Sequence, residues 1–136
     1  DKFKPWSIPL IEKLEELIPH AKINPLLERE YIKCLPVNLL RGSTFKDNVV
    51  IIDEAQNLER SELVTIMTRF GENCKLIIIG DSEQSDINGK SGFPAIYNAF
   101  NNKKSENKGI YTFKFTEDDI TRSPLLKFII KQLRTI

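Results

Sequence analysis

The sequence predicts an α/β fold, a parallel sheet with helices on both faces, and three observations point to it. Val49 to Ile52 and Leu76 to Ile79 are short, continuously apolar runs, the pattern of strands inside a parallel sheet. The segment between them, "ERSELVTIMTRF" (59 to 70), places Leu63, Ile66, Met67 and Phe70 on one helical face. From Val49 onward the order strand, helix, strand, helix, strand, helix is that of a sheet built by crossover connections.

Taken in order, "PLIEKLEELI" (9 to 18) carries a helical apolar stripe of Leu10, Ile11, Leu14, Leu17 and Ile18, stopped by Pro19. "NPLLERE" (24 to 30) reads as a short helix with Asn24 as its cap and Pro25 in its first turn. "YIKCL" (31 to 35) alternates like a strand, and residues 36 to 48 form a polar connection. The 59 to 70 helix ends at Gly71. "SGFPAIYNAF" (91 to 100) is helical after its proline, and "NNKKSENKG" (101 to 109) is a polar surface loop. "IYTFKF" (110 to 115) is a third strand by period and aromatic content. The closing helix has Ser123 as cap and Pro124 at its first position.

With 136 residues, 40% hydrophobic, 29% charged and a net charge of +1, the chain reads as one soluble domain spanning residues 1–136. That balance neither requires nor forbids a nucleic-acid partner. Cys34 and Cys74 lie far apart without CxxC spacing beside a single histidine, so zinc is disfavoured and two buried thiols in a reducing, cytoplasmic setting are expected. No apolar run long enough to span a membrane and no secretory signal occurs in the sequence.

The unusual feature is where the acids fall. "VVIIDEAQ" (49 to 56) runs straight into Asp53 and Glu54, and "KLIIIGDSEQ" (75 to 84) repeats the pattern with Asp81 and Gln84. In open parallel sheets, ligands bind beyond the carboxyl ends of the strands, so the two acidic motifs are expected to open onto one crevice. Asp53 suits magnesium, which takes one or two carboxylates beside substrate phosphates. Glu54 suits the orientation or deprotonation of an attacking water. Gln56 and Gln84 supply neutral groups able to bond that water or a terminal phosphate. Either acid alone is as well read as a helix cap or loop acid; the repeated Asp-x-x-Gln spacing favours a shared site.

Apolar-apolar-apolar-Asp-Glu has the Walker B form, and "GDSEQSD" resembles motif III of superfamily-one helicases. The combination resembles the PhoH family of ATPases through "DEAQN" (53 to 57), "TRFG" (68 to 71) and Gly80 to Asp86, followed by Ser91 and Gly92. Pro36 with "RGST" (41 to 44), "KFKPWSIPL" (2 to 10) and "DDITRSPL" (118 to 125) also match, so the resemblance covers nearly the whole chain. It implies a P-loop NTPase-like fold, ATP and Mg2+ as cofactors, and Mg-dependent ATP hydrolysis. Asp53 would then hold the metal, Gln56 and Asp81 would serve nucleotide binding, and Glu54, Gln84 and Arg122 would be catalytic. RNA or DNA remodelling and homo-oligomer assembly follow from the family alone.

One family element does not occur in these residues. A GxxxxGK[ST] loop, whose amides cradle phosphates, is not present, and "NGKSG" (88 to 92) lies after the wrong strand with the wrong glycine spacing. In the family that loop precedes the segment matching residues 2 to 14, so the chain is expected to be the C-terminal part of the NTPase domain, with a sheet incomplete at its N-terminal side. A binding or scaffold module that keeps the fold without turnover is the alternative. A phosphoacceptor domain using Asp53 fits poorly, because the segments "KINP" and "FKFTEDD" lack its acidic pair and its lysine.

Overall fold

The computed structural model describes residues 4–40, 42, 44–87, 89–116, 119, 121 and 123–133. These form two compact units, Asp1–Pro94 and Ala95–Ile136.

In the first unit, α1 (Lys4–Leu17) starts before the expected proline and runs through it, with Pro9 inside. A proline this near a helix start removes only one early backbone bond, so the helix continues. The second helix, α2 (His20–Glu28), begins a turn earlier than the sequence suggests, with Pro19 in the cap position. Asn24 is therefore interior and does not cap, and Pro25, expected in the first turn, also lies in the helix interior. The exposed His20 ring meets the Glu15 carboxylate at 2.7 Å, linking the two helices across their turn. Ile23 is 1% exposed and anchors α2 in the core.

The segment 31 to 35, expected as a strand, is not one. Its first two amides are used by the preceding helix: Tyr31 N and Ile32 N both donate to Leu26 O, at 2.9 and 3.3 Å. Donors consumed by a helix end are no longer available for a ladder.

The strands β1 (Val49–Ile52) and β2 (Lys75–Ile78) pair in parallel, with Val49 opposite Lys75 and Ile52 opposite Ile78. Their connection is α3 (Arg60–Met67), whose start is fixed by Glu59 N donating to Glu62 Oε2 at 2.9 Å. This helix ends four residues before Gly71. Gly71 instead allows a close approach: a Cβ there would lie 2.3 Å from Phe45 O. Around it Phe45 N donates to Arg69 O and Asp47 N to Glu72 O, which brings residues 45–47 alongside the chain entering β2. The "TRFG" segment thus has a packing role.

Leu63 and Ile66 of α3, Ile52 of β1, Ala55 and Ile23 form the buried core, each no more than 7% exposed. The opposite face of the strands differs, since Val49 and Ile51 are 64% and 61% exposed. Cys34 and Cys74, expected to be buried, are half-buried, and neither forms a disulfide.

The second unit contains most of α4 (Phe93–Phe100), then α5 (Lys103–Glu106) and α6 (Pro124–Leu133). The expected loop 101 to 109 holds α5, because Asn102 Oδ1 accepts from Ser105 N at 3.0 Å and so caps one turn of helix. The expected third strand, 110 to 115, has no ladder partner among the described residues. Tyr111, Phe113 and Phe115 are exposed there. Aromatic alternation makes a segment suitable for a strand, but only a paired backbone makes it one. The closing helix matches its reading, with Ser123 Oγ accepting from Leu126 N at 3.3 Å. Among the described residues no helix is long and apolar enough to cross a membrane.

Leu63→Ala should cost about 2–5 kcal/mol, the range for an emptied core leucine. Val64→Ala, one position away and more exposed, should cost less than about 1 kcal/mol; urea denaturation of both variants checks the difference. A second expectation concerns Asp119, whose carboxyl is held below its usual value by bonds from the Thr116 amide and then the Thr116 hydroxyl. A lowered folded value means that this turn is favoured above the ordinary aspartate range and loosens as pH falls through the folded value. An NMR titration of the Thr116 amide should therefore give a midpoint below that of an unstructured aspartate, and Asp119→Asn should remove the transition.

Candidate functional site

The pairing of β1 with β2 does not stop at the last strand residue. Ile79 N donates to Ile52 O at 2.8 Å, and Ala55 N donates to Ile79 O at 2.9 Å. These two bonds pin the chain on both sides of Asp53 and Glu54, so the two residues between are pushed out beyond the sheet end. Glu54 takes the left-handed conformation, φ 54° and ψ 37°, which a side-chain-bearing residue adopts only when its surroundings enforce it. Asp53 Oδ1 accepts from the Glu54 amide at 3.0 Å and helps close this turn.

A single 3-10 turn, Ala55–Asn57, follows, and Ala55 and Gln56 are 0% and 1% exposed. Burying an amide side chain is costly unless both of its ends are bonded. Both ends are: Gln56 Nε2 donates to Glu54 Oε2 at 2.6 Å, and Gln56 Oε1 accepts from Asp81 N at 2.9 Å. Its backbone carbonyl accepts from Ser85 Oγ at 3.0 Å. Next to it, Asn57 Oδ1 accepts from Asp86 N at 2.8 Å, and Asn57 Nδ2 lies 3.4 Å from Asp86 Oδ2. The two motifs are therefore stitched together by side chains of each holding backbone of the other.

The Asp81 turn is organised by its own carboxylate, which accepts from Glu83 N at 3.0 Å and from Gln84 Nε2 at 2.7 Å. Gly80, just before it, approaches Gln56 closely: a Cβ there would lie 3.0 Å from Gln56 Oε1 and 3.1 Å from Gln56 N.

Asp53, Glu54, Gln56, Asp81 and Gln84 thus come together, with Ile79 and Gly80, around one open cleft of about 190 Å³. Five of the six expected site residues share it. Arg122, the sixth, lies outside the described residues. Asp53, Glu54, Asp81 and Gln84 are exposed, whereas Gln56 lines the cleft from below as a buried group. Asn57, Ser85 and Asp86 have no role in the sequence reading; the signal that could have found them is their place inside "DEAQN" and "GDSEQSD".

The segment "NGKSG" has a different use. Lys90 N donates to Ile87 O and Gly92 N to Leu58 O, so those amides are not free to cradle a phosphate. Gly92 also presses on α3, where a Cβ would lie 2.4 Å from Arg60 Cα.

The donor set fits a hard cation. Carboxylate and amide oxygens line the cleft, and among the described residues no group of three or more His, Cys, Asp or Glu is placed to hold a metal ion by itself. Magnesium needs no such group, because it keeps several waters and takes substrate phosphates as ligands.

Comparison with known proteins agrees with this pattern. The family model described as PhoH-like protein matches residues 1–134. A PhoH-like protein of Synechocystis sp. is 33% identical over 132 residues, which is 96% of this chain and 39% of that protein. A PhoH-like protein of Bacillus subtilis is 32% identical over 133 residues, 96% of this chain and 40% of its own length. Protein PhoH2 of Bacillus subtilis is 39% identical over 90 residues, 63% of this chain and 20% of that protein. The chain spans about two-fifths of the length of the two PhoH-like relatives. From the match across its length and the two acid-bearing strand ends on one cleft, the chain belongs to the PhoH-like protein family.

Proposed function

We propose that this chain supplies the metal-binding, water-activating and phosphate-sensing part of a Mg-dependent ATPase. The observation that carries the reading is the convergence of Asp53 and Glu54 from β1 with Asp81 and Gln84 from β2 on one cleft. Membership of a family of P-loop NTPases supports nucleotide as the ligand. In this reading residues 1–136 are the C-terminal part of the NTPase domain, with helices on both faces of its completed sheet.

Asp53 would hold the magnesium ion, which supplies charge neutralisation at the phosphates when bound. Glu54 orients and deprotonates the attacking water: one carboxylate oxygen is occupied by Gln56, which leaves the other for the water. Gln84, on the adjoining turn, reads the terminal phosphate, and Asp81 sets the position of Gln84 through their 2.7 Å bond. Arg122 would counter the charge that develops during phosphoryl transfer. Cleft size suits this division of labour. About 190 Å³ is below the usual range for a whole-ligand pocket, roughly 300–1,000 Å³, and suits a terminal phosphate and its hydrated ion. Coupling to RNA or DNA, and assembly with further copies, extend the proposal by family likeness.

A second reading is a binding module that keeps the fold without turnover. In the protein carrying this chain, Glu54→Gln should lower ATP turnover by about a hundred- to ten-thousand-fold, the range for loss of a general base. Fluorescent-nucleotide binding should stay nearly unchanged. Nucleotide binding without turnover in the unsubstituted protein would instead favour the binding module. Asp53→Asn should weaken nucleotide binding in magnesium and leave the magnesium-free affinity unaltered, as read by titration with and without the ion.

A further inference from the structure

We infer that Gln56 is a positioning residue, a buried two-ended tie that makes the Glu54 carboxylate and the Asp81 turn move as one. The inference deepens the proposed ATPase reading, since the importance of Glu54 rests on it.

The sequence reading expected Gln56 to face nucleotide, but its amide is committed elsewhere. It is 1% exposed, and its two polar atoms make bonds of 2.6 and 2.9 Å to opposite sides of the cleft. The orientation of the amide follows from its partners. Asp81 N can only donate, so the oxygen faces it, and the NH2 group is left to meet the carboxylate of Glu54. Glutamine alone suits both ends at this reach. Glutamate would set two carboxylates against each other, asparagine is one methylene short, and methionine keeps the shape without either bond.

Other features protect the same tie. Ser85 Oγ holds the Gln56 carbonyl, and Gly80 leaves the space that the Gln56 side chain fills. Glu54 is held in a left-handed backbone conformation, so the direction of its carboxylate depends on what restrains it at the far end. The restraint is the Gln56 amide. Movement of the Asp81 turn, which bears Gln84, is therefore passed through one rigid planar group to the carboxylate of Glu54. A change at the phosphate end reaches the water-activating end without rearrangement of the sheet.

The test compares Gln56→Met and Gln56→Glu in the intact protein, by amide hydrogen exchange and by ATP turnover. Gln56→Met breaks both ends. Exchange at the Asp81 amide should rise tenfold or more, while Ile79, bonded to Ile52, stays protected. Turnover should fall ten- to a hundredfold with the KM for ATP within twofold. Gln56→Glu keeps an acceptor for Asp81 N and loses the donor to Glu54. Its Asp81 amide should remain protected, while its turnover should fall as far as that of Gln56→Met with the KM for ATP again within twofold. A structural role alone would raise Asp81 exchange without lowering turnover, or would raise the KM for ATP along with it, and either outcome overturns the proposal. If the unsubstituted protein has no turnover, the ATPase reading fails, but the tie is still tested by exchange. Glu54→Ala should alter Asp81 exchange when Gln56 is present and have no effect in the Gln56→Met background. Equal effects in both backgrounds would sink the coupling, as would a Gln56→Glu protein that behaves like Gln56→Met at Asp81.

Discussion

The parallel pairing of β1 with β2, carried one residue further by the Ile52 to Ile79 and Ile79 to Ala55 bonds, is the constraint from which the site follows. Those bonds hold the ends of two neighbouring strands at the same level. A parallel pair sends both carboxyl ends to the same side, so whatever side chains follow the strands must meet there. An antiparallel pair with the same residues would have placed Asp53 and Asp81 at opposite ends. Between these bonds Glu54 takes its left-handed backbone conformation.

Beyond the strand ends the loops contribute little apolar burial. Ala55 and Gln56 are buried, but the residues around them, Asp53, Glu54, Asp81 and Gln84, are exposed. Order there comes from polar bonds, and those that join the two loops run mainly from a side chain of one to the backbone of the other: Gln56 to Asp81, Ser85 to Gln56 and Asn57 to Asp86. A bond to a backbone amide does not depend on what side chain sits at that position. It fixes the path of the chain while leaving the outward-facing acids available for chemistry. The glycines serve the same end by proximity, Gly80 against Gln56 and Gly92 against Arg60.

The core of the first unit lies on one side of the strands. Burial alternates along β1, with Ile52 inside and Val49 and Ile51 exposed. An apolar run without alternation is suited to burial on both faces, so the composition of these strands exceeds what the described surroundings cover. In the second unit Tyr111, Phe113 and Phe115 show the same excess in a segment that lacks a ladder. Both observations concern residues with strong strand preference, and in both the local preference is clear while its partner is not among the described residues.

What the sequence by itself determined was local or covalent. The two apolar runs mark the strands, the second of them shifted by one residue to Lys75–Ile78, the periodic segment between them holds the shorter α3, Ser123 caps α6, and the order of acids after the strands identifies the family pattern. Each depends on neighbours a few residues apart, which the chain displays directly. Helix boundaries were less legible, because Pro9 and Pro25 read as starts and proved to be interior. Residues 31–35 and 110–115 have strand-like alternation, yet the first gives its leading amides to Leu26 and the second has no ladder partner among the described residues. The role of Gln56 was the least legible, since its spacing after Asp53 is equally consistent with a nucleotide contact. Only the tertiary structure brought the amide of Asp81, 25 positions away, within 2.9 Å of its side chain. Ladder pairing and buried amide satisfaction both depend on groups distant in sequence, and a position acquires them only when the chain has folded around it.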